Sequence, residues 1–168
     1  RGMNVIGGTL RVNEGIVYIL DNPDTGATVE STTVRDVSII PGQTTAIDIG
    51  AGGRLNTTGT GTVVRIFKNL GGAALTGSGT LGLSGDVRVE PAIGGATLTV
   101  APAIDLGAAT RTLDIPDGTP SPDAAFDGGI GGGGGLIKAG AGVMSLKGAG
   151  SYGGPTTVSA GSLYLQNA

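Results

Sequence analysis

Along this chain the aliphatic residues come in pairs with a single residue between them. The pattern appears in Thr9-Leu10-Arg11-Val12, Ala46-Ile47-Asp48-Ile49, Thr80-Leu81-Gly82-Leu83 and Asp86-Val87-Arg88-Val89. It returns in Thr97-Leu98-Thr99-Val100, Thr112-Leu113-Asp114-Ile115, Val143-Met144-Ser145-Leu146 and Ser162-Leu163-Tyr164-Leu165. Two aliphatics two residues apart lie on one side of an extended strand. The residue between them is often polar or charged, so the other side of each strand is expected to face solvent. Glycine-rich stretches separate the units and read as turns. Helix signals are almost absent, because glycine, threonine and β-branched residues dominate and none is a strong helix former.

Strands this short do not build a deep sandwich. They suit a solenoid in which like strands of successive coils stack at about 4.8 Å. The expected fold is all-β: a right-handed parallel β-helix of short strands with glycine-rich corners. Coils of about 20 residues would give roughly eight turns, a rod about 40 Å long. The irregular spacing of the pairs argues against a strict short-period solenoid. The rival fold is a β-sandwich, and parallel against antiparallel pairing of the strands decides between them.

Composition adds a tension and then limits the chemistry. The 168 residues include 35 glycines and 8 prolines, about a quarter of the chain and near the low-complexity range. A hydrophobic share of 39% and a net charge of only -3 oppose disorder. The length suits one domain with a real core, and three tyrosines and two phenylalanines make that core aliphatic. The chain has no histidine and no cysteine, which closes the usual zinc, haem and copper sites, thiol catalysis and Ser-His triads. Ten scattered Lys and Arg and a pI near 4.7 argue against nucleic-acid binding. The longest apolar run, Ile16–Leu20, is far too short to span a membrane. The chain opens on Arg1 and reads as a piece of something longer.

An internal match points the same way. Val5-Ile6-Gly7-Gly8-Thr9-Leu10-Arg11-Val12-Asn13 aligns with Val158-Ser159-Ala160-Gly161-Ser162-Leu163-Tyr164-Leu165-Gln166 at an offset of 153. Either the segment comes from an array of similar modules, or its two ends share a common solenoid pattern.

Residues Gly133 to Asn167 resemble the autotransporter passenger-associated strand repeat. Gly134-Gly135-Leu136, Lys138, Gly140 and Gly142 fit its opening. Met144 and Leu146 take its two aliphatic places, followed by Gly148, and Tyr152, Gly154, Thr156, Val158, Gly161, Leu163 and Leu165 fit its close. Gly150 stands near the usual Asn, and Pro155 sits in the turn. The resemblance implies residues 1–168 as one β-helical fragment of a longer chain, with 1–14 the closing end of a preceding repeat and 128–168 a repeat of its own. It also implies a secreted or surface-displayed bacterial protein. Such passengers serve as adhesins, surface spacers or carriers of attached domains, and the repeat has no catalytic residues to carry over.

The remaining motifs each have a plainer reading. Gly129-Ile130-Gly131-Gly132-Gly133-Gly134 formally satisfies a dinucleotide fingerprint, but strand residues follow where a helix is needed. Asp24-Thr25-Gly26-Ala27 has the form of an aspartic-protease turn, yet Asn22-Pro23 precedes it and the sequence is an ordinary turn. Asp114, Asp117, Asp123 and Asp127 crowd one loop with Pro116, Pro120 and Pro122, without the spacing of a calcium loop. Thr57-Thr58, Thr60, Thr62, Thr97 and Thr99 do not recur at one coil period, as an ice-binding face requires. A carbohydrate-active β-helix enzyme would cluster acids on one face, and no local pair marks such a cleft.

The expectation is therefore a non-enzymatic structural or interaction module: a stalk, adhesin or filament subunit, extracellular or at the cell surface. No catalytic, cofactor-binding or metal residues are assigned. The expected partners are the chain itself, stacking head to tail, or a host or glycan surface. The glycines also acquire positions: Gly8, Gly142 and Gly161 should sit at turns just before inward-facing aliphatics. The run Gly131 to Gly135 has no assigned role beyond starting the repeat.

Overall fold

The computed structural model describes the backbone of residues 10–11, 16–20, 27–34, 36–40, 47–57, 63–67, 73–90 and 96–166, and the side chains of 49–57, 75–89 and 96–166. The described strands are, in order, β1 (Leu10–Arg11), β2 (Ile16–Leu20), β3 (Ala27–Val34), β4 (Asp36–Ile40), β5 (Ile47–Thr57) and β6 (Val63–Phe67). Then come β7 (Ala73–Thr76), β8 (Thr80–Gly82), β9 (Asp86–Glu90), β10 (Leu98–Val100), β11 (Ala103–Asp105) and β12 (Arg111–Asp114). The series ends with β13 (Ala124–Phe126), β14 (Ile130–Gly131), β15 (Leu136–Ala139), β16 (Val143–Leu146), β17 (Thr156–Val158) and β18 (Ser162–Leu165). No helix occurs among the described residues.

Among the described residues every strand pair is parallel, and the partner of each strand lies about one coil away in sequence. That removes the sandwich, whose neighbouring strands run antiparallel, and makes the fold a β-solenoid. The strands fall on three faces. The first face stacks the opening halves of β3 and β5, then β7, β10, β13, β16 and β18. The second stacks β1, the closing halves of β3 and β5, then β8, β11, β14 and a single bridge at Gly150. The third stacks β2, β4, β6, β9, β12, β15 and β17. β3 and β5 run through the corner between the first two faces, so those faces join there into one sheet.

Coil length varies more than the expected 20 residues. Ile47 pairs with Leu75, 28 residues on, whereas Met144 pairs with Leu163, 19 residues on. The variation sits in the corners. The span between β12 and β13 carries Pro116, Pro120 and Pro122, whereas β15 and β16 are separated only by Gly140, Ala141 and Gly142. Apart from shifts between β7 and β10 at Thr99/Val100 and between β3 and β5 at Val29/Ser31, the described ladders keep register across these unequal corners.

The core is this bore. Ile49, Leu55, Leu75, Leu81, Leu98, Val100, Leu106, Leu113, Ile115, Leu136 and Met144 are buried without residue. They stack in columns: Leu55, Leu81, Ile104 and Ile130 on the second face, and Leu98, Ala124, Met144 and Leu163 on the first. Each buried Leu or Ile contributes about 1.5–3 kcal/mol relative to an exposed one. Phe126, almost fully buried, stands in the column of Val100 and Leu146. The residues between the pairs are less uniformly wet than their polarity suggests. Asp86 and Arg88 are exposed, but Ala125 and Ser145 are buried on the other side of the first face.

Candidate functional site: the terminal coils and their open end

The last two coils differ from those beneath them in one polar residue and one apolar surface. β15 supplies the polar residue. Leu136 and Lys138 alternate with Ile137 and Ala139, and the two former are fully buried. Lys138 stands in the column of Val87 and Leu113, with Val158 above it. Its four-carbon stem fills an aliphatic place. Its ammonium reaches the corner and donates to the carbonyl oxygens of Ala139 (2.8 Å), Gly140 (2.8 Å) and Ala160 (3.1 Å). The first two acceptors belong to its own corner and the third to the next coil. Burial holds its pKa below the ordinary lysine value, and the nearby carboxylates of Asp114 and Asp123 partly oppose that shift.

Arg111 serves a lower corner in a related way. Its Nε donates to Leu106 O at 3.1 Å and its Nη2 to Leu83 O at 3.4 Å. On the outer side of the second face, the Arg54 guanidinium lies over Gly82, donates to Asn56 Oδ1 at 2.5 Å and pairs with Asp105. The Arg54 hydrogen bond and the Gly107 backbone N–H hold the Asp105 carboxyl below its usual range, against a smaller opposing effect of burial. Both ends of this pair are partly exposed, so solvent screening keeps its contribution within about 1 kcal/mol.

The apolar surface is the end of the stack. Val158, Tyr164 and Leu165 are the exposed large hydrophobics among the described residues, at 47%, 55% and 64%. All three lie on β17 and β18. One coil below, the partners of Val158 and Leu165 are Lys138 and Leu146, at 0% and 3%. The columns of the bore thus continue into β17 and β18, above which no further strand is described.

The motifs singled out in the sequence are dispersed through this frame. Within the run Gly129 to Gly134, Ile130–Gly131 is strand β14 of the second face, and Gly132 to Gly134 lie in the corner that leads to β15. Asp24, Thr25 and Gly26 lie outside the described residues. The four aspartates have separate surroundings: Asp123 is buried and accepts from Val143 N–H at 2.8 Å, and Asp127 pairs with Lys147 at 3.1 Å. Asp114 lies in β12, and Asp117 is exposed in the loop. Among the described residues no group of three or more metal-ligating side chains comes together. Of the threonines, Thr57 is buried against Gly82 O and Ser84, and Thr97 donates to Pro122 O at 2.7 Å. Thr58, Thr60 and Thr62 lie outside the described residues.

The repeat singled out in the sequence has a definite place among the coils. From β15 to β18 the chain passes the third, first and second faces and then the third and first again. Residues 136–165 match the family described as the passenger-associated-transport repeat. The match lies inside the 128–168 span anticipated from the sequence. Its ends stack on each other: Leu136 and Lys138 pair with Thr156 and Val158, and Met144 and Leu146 with Leu163 and Leu165. The repeat is thus one full coil plus the first two strands laid upon it. A passenger repeat implies a secreted or cell-surface protein. Neither the curated proteins nor the solved structures give a significant match to the chain.

Pairing also separates the two ends that match in sequence. Leu10–Arg11 pairs with Thr32–Thr33 on the second face, whereas Ser162–Leu165 lies on the first. The two segments share the solenoid pattern but occupy different faces.

Proposed function

We propose that this segment is a non-enzymatic section of rod in a surface-displayed or secreted bacterial protein, serving as a stalk, adhesin or filament subunit. The observation that carries this reading is the aliphatic bore, described from Ile49 to Leu146, which runs into a passenger repeat and in which the buried Lys138 and Asp123 are used on backbone corners. Lys138, Arg111 and Asp123 are all engaged in holding turns. That is the use expected of polar groups in a load-carrying solenoid, where each coil depends on its neighbours.

The test uses intact producing cells and antibody raised against residues 96–166. The expected result is labelling of unpermeabilised cells or recovery in the medium, with loss of the cell signal on external protease. A signal that appears only after lysis would overturn the reading. So would turnover of any member of a glycan panel by the purified segment.

A further inference from the structure

The sequence contains two Asp-Gly steps, Asp117-Gly118 and Asp127-Gly128. Both lie in corners, and all four residues are exposed. Such a step carries a chemistry of its own. Glycine has no side chain to shield its backbone nitrogen, so that nitrogen can attack the carboxyl carbon of the aspartate before it. The attack requires the carboxyl group to swing back over the following amide. A free backbone reaches that geometry, and a pinned one does not.

The two corners differ in this respect. Asp127-Gly128 is pinned on both sides: the Asp127 N–H donates to Val100 O at 2.8 Å, and Gly129 O accepts from the Ile104 N–H at 3.0 Å. Between these bonds Gly128 lies on the backbone of the preceding coil, where a Cβ would stand 2.3 Å from Ala101 O and 2.5 Å from Ala103 N. The Asp127 carboxylate is held as well, by Lys147 at 3.1 Å. Asp117-Gly118 lies on the long corner between β12 and β13, which is tied at its feet. The Ile115 N–H donates to Ala139 O, the Asp123 N–H donates to Val143 O, and Pro122 O accepts from Thr97. No hydrogen bond or ion pair is described for residues 117–121.

We propose that Asp117 is a site of spontaneous backbone isomerisation in the folded protein, and that Asp127 is protected from the same reaction by its coil. The Gly118 nitrogen bonds to Cγ of the Asp117 carboxylic acid and gives up its proton. One carboxyl oxygen leaves as water, with that proton and the acid's own. The product is a cyclic imide. Water then opens the ring at one of its two carbonyls. Opening at the side-chain carbonyl restores aspartate. Opening at the main-chain carbonyl leaves Gly118 joined through Cγ, with the α-carboxylate as the new side group. One water is lost and one regained, nothing is oxidised or reduced, and the net charge is unchanged. The main chain gains one carbon. At Asp117 that carbon falls outside the bore, on an excursion with no ladder to disturb. At Asp127 it would have to fit between the bonds to Val100 and Ile104, against the backbone of Ala101.

The test ages the purified 168-residue segment in neutral buffer at physiological temperature. Digestion and electron-transfer mass spectrometry then read the linkage at both steps. Isoaspartate is expected to accumulate at Asp117 about tenfold or more faster than at Asp127, as a distortion comparable to overpacking a core would impose on a rate. In guanidinium chloride the two steps are expected to react at similar rates, because unfolding releases the pinned corner. Gly118→Val, whose branched side chain shields the nitrogen, is expected to slow the reaction at Asp117 about tenfold or more. It should leave the circular dichroism and the rate at Asp127 unchanged. Equal rates in the folded segment, a faster reaction at Asp127, or no isoaspartate at Asp117 would each overturn the inference. So would a ratio that persists in guanidinium chloride, which would assign the difference to local sequence rather than to the coil, or a Gly118→Val variant that reacts like the parent.

Discussion

Gly134 has the least room of the described glycines. A Cβ there would stand 1.9 Å from Ala109 O and 2.5 Å from its carbon, on backbone that cannot swing aside. This explains the glycine run that the sequence left without a role. Gly132 passes Gly107 with φ at 112°, Gly134 lies on Ala109, and a Cβ on Gly135 would stand 2.7 Å from Pro155 O. Three successive corners stack through this run, and the Gly134 and Gly154 amides donate down through it to Gly107 O and Gly134 O. Gly134→Ala is expected to cost about 3 kcal/mol or more, in the range of an overpacked core. Gly50→Ala, with nothing within 4 Å of its Cβ, is expected to be neutral or to stabilise by up to about 1 kcal/mol. Urea titration of the two variants checks both. Of the three glycines assigned to turns, Gly161 has φ at 68° and directly precedes β18. Gly142 also precedes its strand, but it is needed because Pro116 O lies 2.4 Å from its would-be Cβ. Gly8 lies outside the described residues.

At the scale of the strand, the paired aliphatics marked β1, β5, β8, β9, β10, β12, β16 and β18 in the sequence. Strands β2, β4, β6 and β11 carry the same pairing in Val17/Ile19, Val37/Ile39, Val64/Ile66 and Ile104/Leu106 and went unmarked all the same, whereas three later strands hide it, each for its own reason. β13 places Ala124 and Phe126 inward, and alanine does not register as the aliphatic member of a pair. β14 is two residues between glycines. In β15 the second inward place is Lys138, which reads as a solvent-facing residue until its corner carbonyls are seen. The residues of the C-terminal coils were legible as a family pattern, but the lysine's function was not, because its acceptors are backbone atoms that any sequence supplies. Its behaviour with pH follows from its environment. The folded-state pKa lies below that of the unfolded chain, so through the interval between them the unfolded chain holds more protons and stability rises with pH. Lys138→Ala is expected to cost about 2–4 kcal/mol at neutral pH, through lost packing of the stem and lost bonds to the carbonyls. The gap between parent and variant should widen as pH rises toward the ordinary lysine range. A gap that stays constant with pH in denaturant titrations would show that the ammonium is hydrated in the folded protein.

The whole molecule is a stack in which each coil is covered by the next, and the uppermost coil is covered by nothing among the described residues. Stability should therefore be graded along the axis. A chain ended at Ser159 loses β18, uncovers Met144 and Leu146, and removes the Ala160 carbonyl from Lys138. Uncovering two buried side chains of this size costs about 3–6 kcal/mol if each is fully exposed, an upper bound because the lower coils still shield one side. Hydrogen exchange should show the loss concentrated in β16 and β15, with β10 to β12 little changed. A uniform loss across all coils would mean that the stack melts as a single unit. The parallel solenoid itself was legible, since short strands with one aliphatic pair each have few other ways to bury both members. The three faces were not legible, because corner lengths vary and only pairing reveals which face a strand occupies.

The unequal corners have a consequence for how such a chain can change. Lengthening the span between Asp114 and Asp123 does not disturb the ladder between β12 and β15, because the added residues leave the bore and return to it at the same height. Asp117, Gly118 and Thr119 are exposed on that excursion. Such a corner works as a socket: a loop, an epitope or a small folded unit inserted there would be carried outward at a fixed level along the shaft, without altering the cross-section that threads the coils together.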